Sequence, residues 1–158
     1  VVFRDPADWL GAPSVNTDPK AIQIIKSGLE AVGVLPDPAK QYLIKRTIGV
    51  AGDSIKCCDS KGYLVVNGVS VKEPYIFPGD KPSSAEFDVD IPDGFIWVMG
   101  DHRGASADSR FHTDDIHQGM VPLSSVVGRA TFVVWPFNHL KFLSVGGDLS
   151  EVAVTKSK

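Results

Sequence analysis

The sequence predicts a mainly β protein, a set of antiparallel sheets with one short helix in an insert near residues 19–33. Three observations carry that expectation. The apolar runs are strand-length, the longest being Phe95 to Met99 and Ala130 to Trp135. Gly 15 and Pro 11 among 158 residues punctuate those runs. An Asn67-Gly68 pair also separates two β-rich segments, and Asn-Gly accepts the positive φ angles of a type I′ hairpin turn.

With 158 residues and 43% hydrophobic content, the chain is long enough for one domain with a real core. The expected division is a domain over 1–146 and a flexible tail over 147–158, after Gly146. Charged residues make up 22% and the net charge is −3. That balance excludes the basic stripe of a nucleic-acid binder. No run reaches the ~18 apolar residues of a membrane span, and no cleavable leader opens the sequence. There is no initiator Met, and Val1 to Arg4 reads like the end of a strand. The chain is therefore expected to be part of a longer protein.

Along the chain, residues 5–18 are rich in turn formers. Asp18 is then a candidate N-cap and Pro19 a first helical residue. Ile22, Ile25, Leu29 and Val32 follow at helical spacing, and Gly33 and Pro36 stop the helix. From Tyr42 to Ile48 the pattern alternates: Leu43, Lys45 and Thr47 share one face of an expected strand, Ile44, Arg46 and Ile48 the other. Gly52-Asp53 marks a turn and Ser54 to Cys58 a short strand. In a strand, Cys57 and Cys58 point to opposite faces, so free thiols are expected rather than a bridge. The hairpin Tyr63 to Val71 follows. Residues 77–94 read as a loop, Phe95 to Met99 as a buried strand, and Val126 to Trp135 as the last long strand.

Two segments can carry chemistry. The first runs from Lys45 to Asp53. A lysine in an apolar strand either snorkels to solvent or is desolvated, and desolvation lowers its pKa. A fall of ~3 units, about 4 kcal/mol, makes the amine neutral near pH 7, as a general base requires. The second is Gly100-Asp101-His102-Arg103-Gly104-Ala105-Ser106-Ala107-Asp108-Ser109-Arg110. Read blandly, it is a solvated charged turn. Read functionally, it is the polar support of a nearby base. Asp108 and Arg110 are two apart and can pair, and the Ser106 hydroxyl can hold an amine in place.

Taken together, the segments resemble two conserved boxes of bacterial type I signal peptidases: Lys-Arg-x-x-Gly-x-Pro-Gly-Asp and Gly-Asp-Asn-Arg-x-x-Ser-x-Asp-Ser-Arg. The hairpin, Glu73-Pro74-Tyr75 and Val126-Val127-Gly128-Arg129-Ala130 through Trp135-Pro136 fall where that family has similar segments. The resemblance covers residues 1–4 and 41–137, and the insert at 19–33 looks like the actinobacterial branch. Ala51 stands where the box has proline, and His102 where it has Asn. His112, His117 and His139 show no metal-ligand spacing.

The resemblance implies a membrane-bound endopeptidase with a Ser–Lys dyad. It would remove signal peptides from secreted preproteins after small residues, with its catalytic domain on the extracytoplasmic side of the cell membrane. It implies Lys45 as general base and Ser106 as the group that orients it. Asp108 with Arg110, Arg46 with Asp101, and Arg103 would support the site. Leu43 and Ile44 are candidates for lining the substrate pockets, with ordinary core as the other reading of both. No cofactor, metal or nucleic acid is implied. Trp135-Pro136-Phe137 and Phe142-Leu143 are candidates for contact with a lipid surface, core burial being the other reading.

The family's nucleophilic serine lies in a Ser-Met-x-Pro-Thr-like segment, and no such segment occurs here; Ser14, in Gly-Ala-Pro-Ser-Val, does not match. These 158 residues alone are therefore expected to be inactive. Two other readings remain open: a Ser–Lys self-cleaving repressor-like protease, and a non-catalytic extracytoplasmic β-domain with an exposed Lys45.

Overall fold

The computed structural model describes residues 1–11, 41–134 and 140–143. The helix expected near 19–33, the Trp135-Pro136-Phe137 segment and the tail 147–158 lie outside them. Twelve strands follow in chain order: β1 (Val2–Arg4), β2 (Tyr42–Ile44), β3 (Arg46–Val50), β4 (Ser54–Cys57), β5 (Leu64–Val66), β6 (Val69–Val71), β7 (Phe87–Asp90), β8 (Phe95–Met99), β9 (Val121–Pro122), β10 (Val126–Gly128), β11 (Phe132–Val133) and β12 (Lys141–Phe142).

The strands form antiparallel sheets in the orders β10-β1-β2, β3-β8-β9, β6-β5-β4-β7 and β11-β12. Among the described residues, no helix is long and apolar enough to cross a membrane.

β8 explains its own composition. Ile96 and Val98 enter a core cluster with Phe3, Trp9, Leu43 and Val121. Trp97 and Met99 enter a second cluster with Ile48, Ile55, Leu64, Val66 and Val71. A strand covered on both faces reads as a continuous apolar run rather than an alternating one. It is the wall shared by two cores, and it delivers the chain rigidly to Gly100.

The β5–β6 hairpin forms as predicted, with Asn67 at φ 52° and Gly68 at φ 80°. The Asn67 side chain also accepts from Ser54 N and donates to Asp53 Oδ1, both at 2.9 Å, which ties the turn to the start of β4.

Four expectations are corrected. The strand expected over Tyr42 to Ile48 breaks at Lys45, because β2 pairs with β1 while β3 pairs with β8 in another sheet. The loop expected over 77–94 contains β7. Its residues alternate between half-buried and exposed, with Phe87 and Val89 packed on the core. Val126 to Trp135 is not one strand, since β10 pairs with β1 and β11 with β12. Finally, Cys57 and Cys58 are joined in a disulfide rather than free. β4 ends at Cys57, so the opposite-face rule for strand neighbours does not reach Cys58.

Candidate active site

Lys45 occupies the junction at which the chain leaves one sheet for another. Its Nζ donates to Ser106 Oγ at 2.7 Å across 61 residues of sequence. Burial pushes the Lys45 ammonium below its ordinary range. The Asp108 charge pulls the other way, and Arg110 adds to the fall.

Ser106 follows a single 3-10 turn, Arg103–Ala105, and has extended backbone. Its place against β8 depends on Gly100. A Cβ there would lie 2.2 Å from Ser106 Oγ and 2.5 Å from its Cβ. The first Gly of the second box is therefore a close-approach glycine.

Behind Ser106 lies Asp108, which is 0% exposed. Its Oδ1 accepts from Arg110 Nε and its Oδ2 from Arg110 Nη2, both at 2.8 Å, and Oδ2 also accepts from Gly100 N at 2.9 Å. Burial opposes ionisation of this carboxyl. The Arg110 guanidinium, the Gly100 amide and the Ser106 hydroxyl outweigh it, so its pKa lies below the usual carboxylate range. Arg110 Nη2 also donates to Arg103 O at 2.9 Å. Ser109 Oγ accepts from Val98 N at 3.0 Å, which anchors the loop on the shared strand.

The remaining predicted residues fall into place around this line. Arg46 and Asp101 form a bidentate pair, Nε to Oδ1 and Nη2 to Oδ2, each at 2.7 Å. Arg103 is buried and pairs with Glu73. The two candidates for pocket lining part company. Leu43 is buried in the core against Phe3, whereas Ile44 is 61% exposed beside the lysine. Adjacent strand residues point to opposite faces, so only one of the two could remain open. His102 stacks on Phe77 at 4.2 Å and lies 3.8 Å from Asp80, turned to a different neighbourhood from Lys45.

The sequence assigned no role to Glu73, Tyr75 or Asp80. Tyr75 Oη donates to Glu73 Oε1 at 2.8 Å, and Asp80 Oδ2 accepts from Gly104 N at 3.0 Å. The only sequence signal for Glu73 was its Pro-Tyr neighbourhood, and nothing in the spacing links it to Arg103. Among the described residues, no group of three or more His, Cys, Asp or Glu is placed to hold a metal ion.

A primary amine with a lowered pKa, pinned by one hydroxyl and backed by a buried ionised carboxylate, can take a proton from a second hydroxyl brought beside it. That is the chemistry this geometry offers.

The family described as Signal peptidase, peptidase S26, matches residues 1–135. A signal peptidase I of Mycobacterium tuberculosis is 40% identical over 151 residues, covering 86% of this chain and 51% of its own length. A probable signal peptidase I of Mycobacterium leprae is 35% identical over 158 residues, covering 86% of this chain and 54% of its own. The chain thus spans about half the length of these curated relatives. A crystal structure of a signal peptidase I from Enterococcus faecalis is 29% identical, with a TM-score of 0.46 over 58% of this chain and 85% of that one.

Proposed function

Because the chain belongs to the Signal peptidase, peptidase S26, family, we propose that it forms the base-bearing part of a serine endopeptidase that removes N-terminal signal peptides from secreted preproteins. The contact that carries this reading is Lys45 Nζ on Ser106 Oγ at 2.7 Å, made by an amine whose pKa burial depresses.

In this reading Lys45 is the general base and Ser106 its orienter. The nucleophile is a serine outside these 158 residues, since no Ser-Met-x-Pro-Thr-like segment occurs in them. Neutral Lys45 takes the proton of that serine as its oxygen bonds to the scissile carbonyl carbon. The carbon–nitrogen bond then breaks, and the departing amine receives the proton from Lys45. Water repeats the sequence on the acyl-enzyme, with Lys45 again accepting a proton, and frees the serine.

The substrate is an extended peptide with small residues before the cleaved bond, adding along a strand edge. Ile44 remains the candidate contact beside the base, and Leu43 is core. The catalytic domain works on the extracytoplasmic face of the cell membrane. Phe142, exposed and with its ring tilted against that of Phe132, centroids 4.7 Å apart, is a candidate contact with the lipid surface. A non-catalytic β-domain would leave Lys45 exposed with an ordinary pKa, and its half-buried place against Ser106 argues against that.

The test is Lys45→Ala in the full-length protein, assayed on a preprotein. The expected result is loss of about a hundredfold or more in processing rate; processing at the normal rate refutes the assignment.

A further inference from the structure

The contacts behind the base do not end at Arg110. Glu73 lies between β6 and β7 outside regular secondary structure, yet its side chain and that of Arg103 are each 1% exposed. Arg103 meets it with both terminal nitrogens, Nη1 on Oε2 at 3.0 Å and Nη2 on Oε1. The same guanidinium donates from Nε to Gly100 O at 3.0 Å and from Nη1 to Pro82 O at 2.6 Å.

Glu73 therefore stands where two arms meet. One runs through Arg103 to Gly100, the residue packed on Ser106, and through Arg103 O to Arg110, which holds Asp108. The other runs through Tyr75, whose hydroxyl donates to Glu73 and whose ring carries the Arg46 guanidinium 3.8 Å from its centroid. Arg46 is the chain neighbour of Lys45. One carboxylate thus touches the supports of both halves of the Lys45–Ser106 contact.

A buried ion pair contributes little net stability relative to apolar residues of the same volume, because desolvation offsets its attraction. It does supply direction: a planar guanidinium fixed on two oxygens presents its other donors at set angles. Here those donors hold Gly100 O and Pro82 O.

We propose that Glu73 is a positioning residue for Lys45, fixing the register between the 100–110 loop and the β2–β3 junction through Arg103 and Tyr75. The inference rests on the reading of Lys45 as the base. Glu73 itself touches neither substrate nor base.

The experiment compares wild type, Glu73→Gln, Tyr75→Phe and Lys45→Ala as full-length proteins cleaving a signal-peptide substrate across pH. Glu73→Gln is expected to lower kcat about tenfold with KM within about twofold. The acid limb of its kcat/KM profile is expected to move to higher pH. A loosened loop admits water to Lys45 and relieves the desolvation that holds its pKa down. Tyr75→Phe, which deletes one hydrogen bond and leaves the ion pair, is expected to move the limb in the same direction by less. A purely structural role lowers the melting temperature and leaves the limb where it was.

If Glu73→Gln fails to fold, Tyr75→Phe decides, and an unmoved limb there overturns the proposal. Full activity in Lys45→Ala sinks the base assignment and this inference with it. Lost activity in Lys45→Ala with unmoved limbs in the other two sinks this inference alone.

Discussion

A Cβ on Gly100 would sit 2.2 Å from Ser106 Oγ, so the hydroxyl that meets Lys45 occupies space only a glycine leaves open. The clash would fall on a short side chain held against rigid β8, with little room to give. Gly100→Ala is therefore expected to push Ser106 away from Lys45 and lower kcat by about a hundredfold, as a displacement near 1 Å does. Steady-state kinetics on the full-length protein check this. Wild-type kcat in a folded Gly100→Ala protein contradicts it.

Ser106→Ala removes the hydroxyl and leaves the lysine. The amine stays half-buried but loses its fixed orientation, so kcat is expected to fall about tenfold or more while KM stays close to wild type. Ser106→Thr, which keeps a hydroxyl, is expected to recover part of the loss. Equal activity of the Ala and Thr variants argues that the hydroxyl does nothing for the base.

Asp108 governs the acid stability of the site. Its folded pKa is depressed, so its contribution is complete above the ordinary carboxylate pKa and is lost as pH falls below that range toward the folded value. Asp108→Asn removes this and leaves Arg110 as a buried cation without its charge partner, a loss of about 3 kcal/mol. Urea unfolding at neutral pH and near pH 3 checks both parts: the gap between wild type and variant is expected to narrow at the acid end. A constant gap contradicts the linkage.

Much of this was legible in the sequence, and the misses have physical causes. The Asn67-Gly68 hairpin and the β8 run follow from local turn chemistry and from burial on both faces, and both stand as read. The pairs Arg46–Asp101 and Asp108–Arg110 followed from the two boxes and are made. The break at Lys45 was not legible. A strand that switches sheets keeps the same alternation on either side, and its partners, β1 and β8, are far away in sequence. Leu43 and Ile44 were treated alike as neighbours of the base, although the pleat sends one to the core and the other outward. Glu73 gave no periodic signal because it packs from an irregular segment against Arg103, thirty residues on.

Arg46 is half-buried, paired with Asp101 and stacked on Tyr75. Lysine cannot reproduce a bidentate, stacked guanidinium. Arg46→Lys is therefore expected to lower activity about tenfold through misplacement of the neighbouring Lys45, with a smaller effect on melting temperature than Asp108→Asn. Kinetics and thermal unfolding on the same preparation test the split. A large loss of stability with unchanged kcat contradicts it.

The proposed role of Lys45 requires that its half-burial beside Ser106 hold the amine's pKa down. The direct measurement is a titration of the Lys45 Nζ by NMR in the full-length protein. The expected result is a pKa clearly below that of the other lysines, and a rise toward theirs in Gly100→Ala, where the displaced Ser106 admits water. A pKa at the ordinary lysine value of about 10.4, unmoved in Gly100→Ala, would contradict the assignment of Lys45 as the base.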